Sequence, residues 1–216
     1  SGGPFAVGWG LIEEKEQPLL DQLGTQSPAA REKLVARLEL TGTGRARDHC
    51  RSVLNDPRMA SVRQIALKLS EPASNLTTGA GAVGLEAQPR VGMHFRQPPA
   101  GLETFGERMT AAESLSGGDV AAAYRAHVAA QQFAAEQIIH HFEGGRGGKL
   151  LVFLPSADLE TGRGVPFYVA QKLLLRQLVL GPNAEHSGAR KLLTRGLRAG
   201  WSGLEIVDSS PASARY

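Results

Sequence analysis

The chain has a single cysteine, Cys50. It therefore cannot close an internal disulfide, and it cannot supply the several thiolates of a cysteine-rich zinc finger. A metal site would have to be built from histidine and carboxylate, and no such ligand set is visible. No apolar run approaches the roughly 18 to 20 residues of a membrane-spanning helix, because Glu, Arg or Gln interrupts each candidate, so no transmembrane segment is expected. Charge of one sign is also scarce, with a net of only +3. What the sequence does have is 216 residues, 42% of them hydrophobic, enough for one compact domain with an appendage. Its 26 glycines and 12 prolines are more punctuation than a helix bundle carries. The start, Ser1-Gly2-Gly3-Pro4, has neither methionine nor the n-region and h-region of a signal peptide, and reads as trimmed; an upstream segment could hold a first strand.

Along the chain, helices alternate with short strands. Phe5 to Trp9 is an apolar strand segment ended by Gly10, and Glu13 to Leu23 is a helix with Leu19, Leu20 and Leu23 on one face, stopped by Gly24. Ser27-Pro28 has the form of an N-cap followed by proline at the first helical position, with Leu34, Val35 and Leu38 as the buried stripe. A third helix is expected over Arg45 to Leu54 and a strand over Val62 to Leu69. From Ser70 to Gly118 the chain is rich in Gly, Pro, Ser, Thr and Ala and lacks a period, which suggests a lid-like or irregular insertion.

Asp119 is placed to cap the clearest helix. Tyr124, Val128, Gln131, Ala135, Ile138, Ile139 and Phe142 recur on it at helical spacing, and Gly144-Gly145 ends it. Leu150 to Leu154, bounded by glycine and Pro155, reads as a strand buried on both faces. This order gives an α/β fold: a layered, mainly parallel sheet flanked by helices.

Several motifs have an ordinary reading beside the functional one. Gly144 to Lys149 imitates a phosphate loop, but Leu150 stands where Ser or Thr is needed and the segment runs from helix into strand, the wrong direction. Asn75-Leu76-Thr77 is a glycosylation sequon too short to carry weight. His140 and His141 sit near a helix C-terminus, where the dipole favours a protonated, capping imidazole; adjacent residues point about 100 degrees apart and cannot share one metal. Tyr124 and His127 do share a face, so an oxygen and a nitrogen could converge on an iron or a substrate; the ordinary reading, and the stronger one, is that Tyr124 is the large apolar member of the core stripe. No Ser-His-Asp or Cys-His set is identifiable from spacing. Between Lys172 and Gly200, six basic residues, Arg190, Lys191, Arg195 and Arg198 among them, face the single Glu185. Without interleaved aromatics this excess suits protein contact or a solvated face, and no nucleic-acid binding is expected.

From Tyr124 to Leu180 the chain resembles the C-terminal half of the ChaN-like family, haem-binding uptake proteins of the Tiki superfamily, with divergent versions in plant and algal chloroplasts. Three features carry the likeness: Tyr124-Arg125-Ala126-His127 followed by Gln132 and Ala134-Ala135, the strand Leu150 to Leu154, and Asp158 with Gly162-Arg163-Gly164-Val165-Pro166. Val7 to Asp21 and Ile65 to Leu67 resemble the family's earlier segments, so the likeness spans about 5 to 181. The family's opening strand with its Gly-Glu-x-His is absent, and Asp158 stands where the strand-end motif has histidine.

The resemblance implies an α/β domain over 1–181, containing the insertion at 70–118, and leaves a basic extension over 182–216. It implies haem as the cofactor, with Tyr124 and His127 as candidate ligands, and Asp158, Gly162, Gly164 and Pro166 as the remnant of the site motif. Loss of the family's polar groups, with the folding motif kept, points to a non-enzymatic binding or interaction module, an accessory subunit with protein partners. In that role Arg190, Lys191, Arg195 and Arg198 are the contact residues. Haem handling is the rival reading, and an esterase-like hydrolase the third, with no catalytic residue assigned to it. The interior of a chloroplast or other organelle is the implied location, a bacterial cell envelope the alternative.

Overall fold

The computed structural model describes residues 5–42, 44–70, 95–96, 117–144, 148–159, 164–173, 175 and 177. Among them, three parallel strands form one sheet in the order β2-β1-β3: β1 is Phe5–Glu13, β2 Arg63–Lys68 and β3 Lys149–Phe153. The helices are α1 (Gln17–Gln22), α2 (Pro28–Arg37), α3 (Gly44–Asn55), α4 (Gly117–Glu143) and α5 (Val165–Ala170). This is the layered α/β fold expected from the sequence.

Strand β1 holds the centre. Its residues alternate between two separate cores, one on each side of the sheet. Val7 and Trp9 face α1, α2 and α3, where Leu20, Leu23, Val35, Leu38, Cys50 and Leu54 close around them. Ala6 faces α4 and α5 together with Ile65, Leu67, Val128, Ala135, Ile138, Tyr168 and Val169. Trp9 ties the three strands together: its indole N–H donates to Gln64 Oε1 at 2.8 Å, and its ring stacks on Phe153 with centroids 4.9 Å apart. The outer edge of β2 is held by a side chain. Gln17 Nε2 donates to the Gln64 carbonyl at 3.0 Å, and the Ala66 N–H donates to Gln17 Oε1 at 2.7 Å, so one amide occupies an edge that would otherwise invite another strand.

Two expectations about the strands are corrected. Gly10 does not end β1, which continues through Leu11 and Ile12 to Glu13. The glycines of β1 mark close approach instead. A Cβ on Gly8 would lie 2.6 Å from Leu67 Cδ1, and one on Gly10 would lie 2.8 Å from Leu154 Cδ2 and 3.0 Å from the Phe153 carbonyl. Beyond Trp9, Leu40 and Thr41 become the neighbours of β1, with the Thr41 N–H donating to the Leu11 carbonyl at 3.0 Å. Conversely, β3 is not buried on both faces. It flanks β1, and α4 and α5 cover Leu150 and Val152, but Leu151 is 43% exposed beside the similarly exposed Phe5. The doubly buried position belongs to the glycine-containing strand.

The helices follow their local chemistry. Ser27 caps α2, accepting from the Ala30 N–H at 3.4 Å with Pro28 opening the helix. The expected first helix is α1 flanked by short 3-10 turns, and the second of these carries the chain through Gly24 to Thr25. Helix α4 is 27 residues and so about 40 Å long. It starts at Gly117, so Asp119 lies within its first turn rather than preceding it as a cap. Its predicted stripe packs on the sheet, and burial extends further around it to Ala129, Phe133 and Glu136. Most of the insertion expected at 70–118 and the basic extension from 182 lie outside the described residues.

Replacing Gly10 by alanine should destabilise the protein by about 1 to 3 kcal/mol, because the β3 backbone on the far side cannot yield. Gly44→Ala, where nothing lies within 4 Å of the new Cβ, is the control. Denaturant unfolding of both variants measures the difference, and equal stability would contradict the close packing of β1 on β3.

Candidate functional site

In a parallel sheet flanked by helices, ligands collect at the carboxyl ends of the strands, where strand-to-helix turns leave polar groups unpaired by the sheet. Helix α4 turns back into β3 through a short glycine-rich connection and packs on the sheet, so it runs antiparallel to β3. Its N-terminal half, with Tyr124 and His127, therefore lies toward the carboxyl end of β3. Asp158 sits in the 3-10 turn Ser156–Leu159 that follows the strand. The fold brings His127 and Asp158 together, with Tyr124 one helical turn away on the same helix.

Gln131 is the link. Its amide Nε2 lies 2.9 Å from His127 Nε2 and donates to Asp158 Oδ1 at 3.2 Å. His127 Nδ1 is 3.8 Å from the same carboxylate oxygen, an ion-pair distance if the imidazole carries a proton. Both side chains are partly open to solvent, so the cluster is sheltered and still accessible. The sequence placed Tyr124 and His127 on one face and Asp158 in a motif remnant; the structure joins His127 to Asp158 across 31 positions of chain.

Tyr124, one turn before His127, packs against the core formed by α4 and α5, so it does serve in the apolar stripe. Burial pushes its phenol above the ordinary value. Beside it Tyr168 is fully buried, and its hydroxyl has no hydrogen-bond partner among the described residues. Burial, and then the charge of Tyr124, raise the Tyr168 phenol strongly. Sequence reasoning passed over both Tyr168 and the bridging role of Gln131. The available signal for Tyr168 was its place two residues after Pro166, in the first turn of α5, which Gly164-Val165-Pro166 opens. Gly162 lies outside the described residues, as do Arg190, Lys191, Arg195 and Arg198.

A second charged group closes the neighbouring strand ends. Glu13 is nearly buried at the end of β1, 3.1 Å from Lys68 at the end of β2 and 3.3 Å from Lys15. Burial alone would raise its carboxyl, but the two lysines prevail and hold it below the ordinary value.

The paired histidines divide. His140 is exposed, 3.8 Å from Glu143, as a residue near a helix end can be. His141 contradicts the expectation of a protonated cap: it is only 6% exposed, neither ring nitrogen has a hydrogen-bond partner among the described residues, and burial lowers its pKa. The 100-degree step between neighbours turns one ring to water and the other inward. The glycine-rich segment from Gly144 to Lys149 runs from α4 into β3, the direction that excludes a phosphate loop.

No known family profile matches this sequence, and no curated protein matches it. Among solved structures it matches ChaN of Campylobacter jejuni, in a structure described as cofacial heme binding, with a TM-score of 0.52 and 16% identity. The fold is ChaN-like. The match covers 78% of this chain and 63% of that one, so the chain spans less than two thirds of the length of its ChaN neighbour. At that identity the likeness is one of fold, and site chemistry must be argued from this chain's own residues.

His141 generates a pH prediction. Its folded pKa lies below the unfolded value of about 6.5, so the unfolded chain binds the proton more readily. Its effect on stability is therefore absent above about pH 6.5 and becomes destabilising as pH falls toward the folded pKa. Melting temperature should drop from about pH 7.5 to about pH 5.5. In His141→Phe the drop should be smaller, and an identical pH profile would remove His141 as its source.

Proposed function

We propose that this ChaN-like domain is a non-enzymatic binding module and that its ligand is haem. The supporting observation is the cluster of His127, Gln131 and Asp158, with Tyr124 one helical turn before His127 on the same helix, in a fold shared with a protein described as binding heme. The donor set suits the group. Haem supplies, when bound, a ferric iron that accepts a phenolate oxygen or an imidazole nitrogen. Tyr124 would hold the iron, and His127, fixed in orientation by Gln131, would stand one helical turn on as second ligand or proton partner. Asp158, in the position where the ChaN-like family has histidine, would then hold His127 instead of a ligand of its own.

The protein should give a saturable Soret shift with defined stoichiometry on titration with ferric haem. Tyr124→Phe keeps the ring in the core and removes the oxygen, and should weaken binding by about tenfold or more. Unchanged affinity and spectrum in that variant would overturn the assignment.

A second reading, an accessory subunit that contacts a protein partner, is favoured by the run of six basic residues against one acid between Lys172 and Gly200. Changing Arg190, Lys191, Arg195 and Arg198 to Glu should release partners that co-purify from source extracts at low salt. Retention of every partner, at low and high salt alike, would leave the segment as solvated surface.

A further inference from the structure

One contact at the end of α5 joins residues 75 positions apart and has the form of ligand recognition. Gln171, which follows α5, turns its side-chain amide to the backbone of Arg96. The Arg96 N–H donates to Gln171 Oε1 at 2.7 Å, and Gln171 Nε2 donates to the Arg96 carbonyl at 3.0 Å. The N–H and C=O of one residue point the same way only where the backbone is extended, so a single amide takes the place of a neighbouring strand. Gln17 does comparable work at the edge of β2. The side chain before Arg96 is read as well. The Phe95 ring meets Tyr168 edge-on, with centroids 5.4 Å apart and planes at 74°, and Lys172 Nζ lies 5.6 Å from its centre, within cation–π reach. Tyr168 is fixed in turn by Phe167, edge-on at 5.4 Å, and by complete burial, so its ring forms a rigid wall.

Backbone hydrogen bonds that ignore sequence, combined with a pocket that selects one side chain, are how extended peptides are recognised. The contact is also placed for exchange. Both hydrogen bonds are open to solvent, Arg96 and Lys172 are exposed, and Phe95 is only partly buried, so the pair can leave without opening the core. We propose that the end of α5 is a peptide-recognition site for an extended segment of a partner protein. That segment carries an aromatic residue followed by any residue except proline, which has no N–H to offer Gln171. Phe95-Arg96 is the resident, displaceable occupant. The site consists of Tyr168, Gln171 and Lys172 and does not depend on the haem reading.

The test uses the full 15N-labelled chain and two synthetic peptides, one with the sequence of residues 91–99, the other a single phenylalanine among alanines with a lysine at each end. Phe95→Ala vacates the pocket. In that variant both peptides should give saturable NMR shifts centred on residues 167–172, with dissociation constants within about threefold of each other. The natural chain, where the resident competes, should bind them at least about tenfold more weakly. Adding Gln171→Ala to Phe95→Ala should weaken binding about tenfold, and peptides with alanine in place of phenylalanine should not bind. Absence of saturable shifts in Phe95→Ala, equal binding by the natural chain, or indifference to Gln171→Ala would overturn the proposal. Binding of the 91–99 peptide alone would overturn it too, by marking the contact as a clasp for this chain's own segment. Should Phe95→Ala fail to fold, Arg96→Pro loosens the resident by removing its N–H, leaves α5 intact, and is held to the same outcomes.

Discussion

The structure depends on one strand being buried on both sides. β1 can sit between β2 and β3, with a helical layer above and below, because Gly8 and Gly10 present no side chain where Leu67 and the β3 backbone approach. Trp9 then supplies the cohesion that the glycines do not, reaching β2 through a hydrogen bond and β3 through a ring stack. A buried indole N–H needs a partner, and Gln64 is fixed to give one, its own amide donating to the Val62 carbonyl at 2.8 Å. Small residues for approach and one large residue for contact thus divide the work on a single strand.

From that strand the site follows by geometry. Helix α4 must lie on the face carrying Ile65, Leu67, Leu150 and Val152, and its connection into β3 fixes its direction. Its first half is thereby carried to the carboxyl end of the sheet, where the turn after β3 delivers Asp158 to Gln131 and His127. The segment after that turn delivers Tyr168 to the core beside Tyr124. Three separate stretches of chain contribute, and each is placed by packing rather than by contact with a ligand. The candidate groups stand on a helix and at the ends of packed elements, the arrangement that holds donors most reproducibly.

What was legible in the sequence was what local chemistry decides. Ser27-Pro28 specified the start of α2, and the stripe from Tyr124 to Phe142 specified the sheet-facing side of α4. The layered α/β class followed from helix and strand order. Burial of strands was not legible. Five apolar residues in a row made β3 look central, whereas the central strand contains two glycines whose meaning depends on neighbours far away in sequence. His141 was misread for a similar reason, since a helix end next to a glycine pair gives no sign of which imidazole faces the core. Of the candidate groups, Tyr124 and His127 could be singled out from their shared helix face and Asp158 from the family resemblance. The bridging by Gln131 and the orphan hydroxyl of Tyr168 could not, because both arise only when α4, α5 and the turn after β3 meet.

The central claim is the proposal that the N-terminal half of α4 and the turn after β3 together carry the haem-binding groups. Hydrogen-deuterium exchange of the natural protein, with and without saturating ferric haem, measures it directly. The account predicts slower exchange confined to about residues 124–131 and 156–159, the segments that carry Tyr124, His127, Gln131 and Asp158. Protection that falls on the α1 to α3 layer instead, or saturable binding that leaves those segments unchanged, would contradict it.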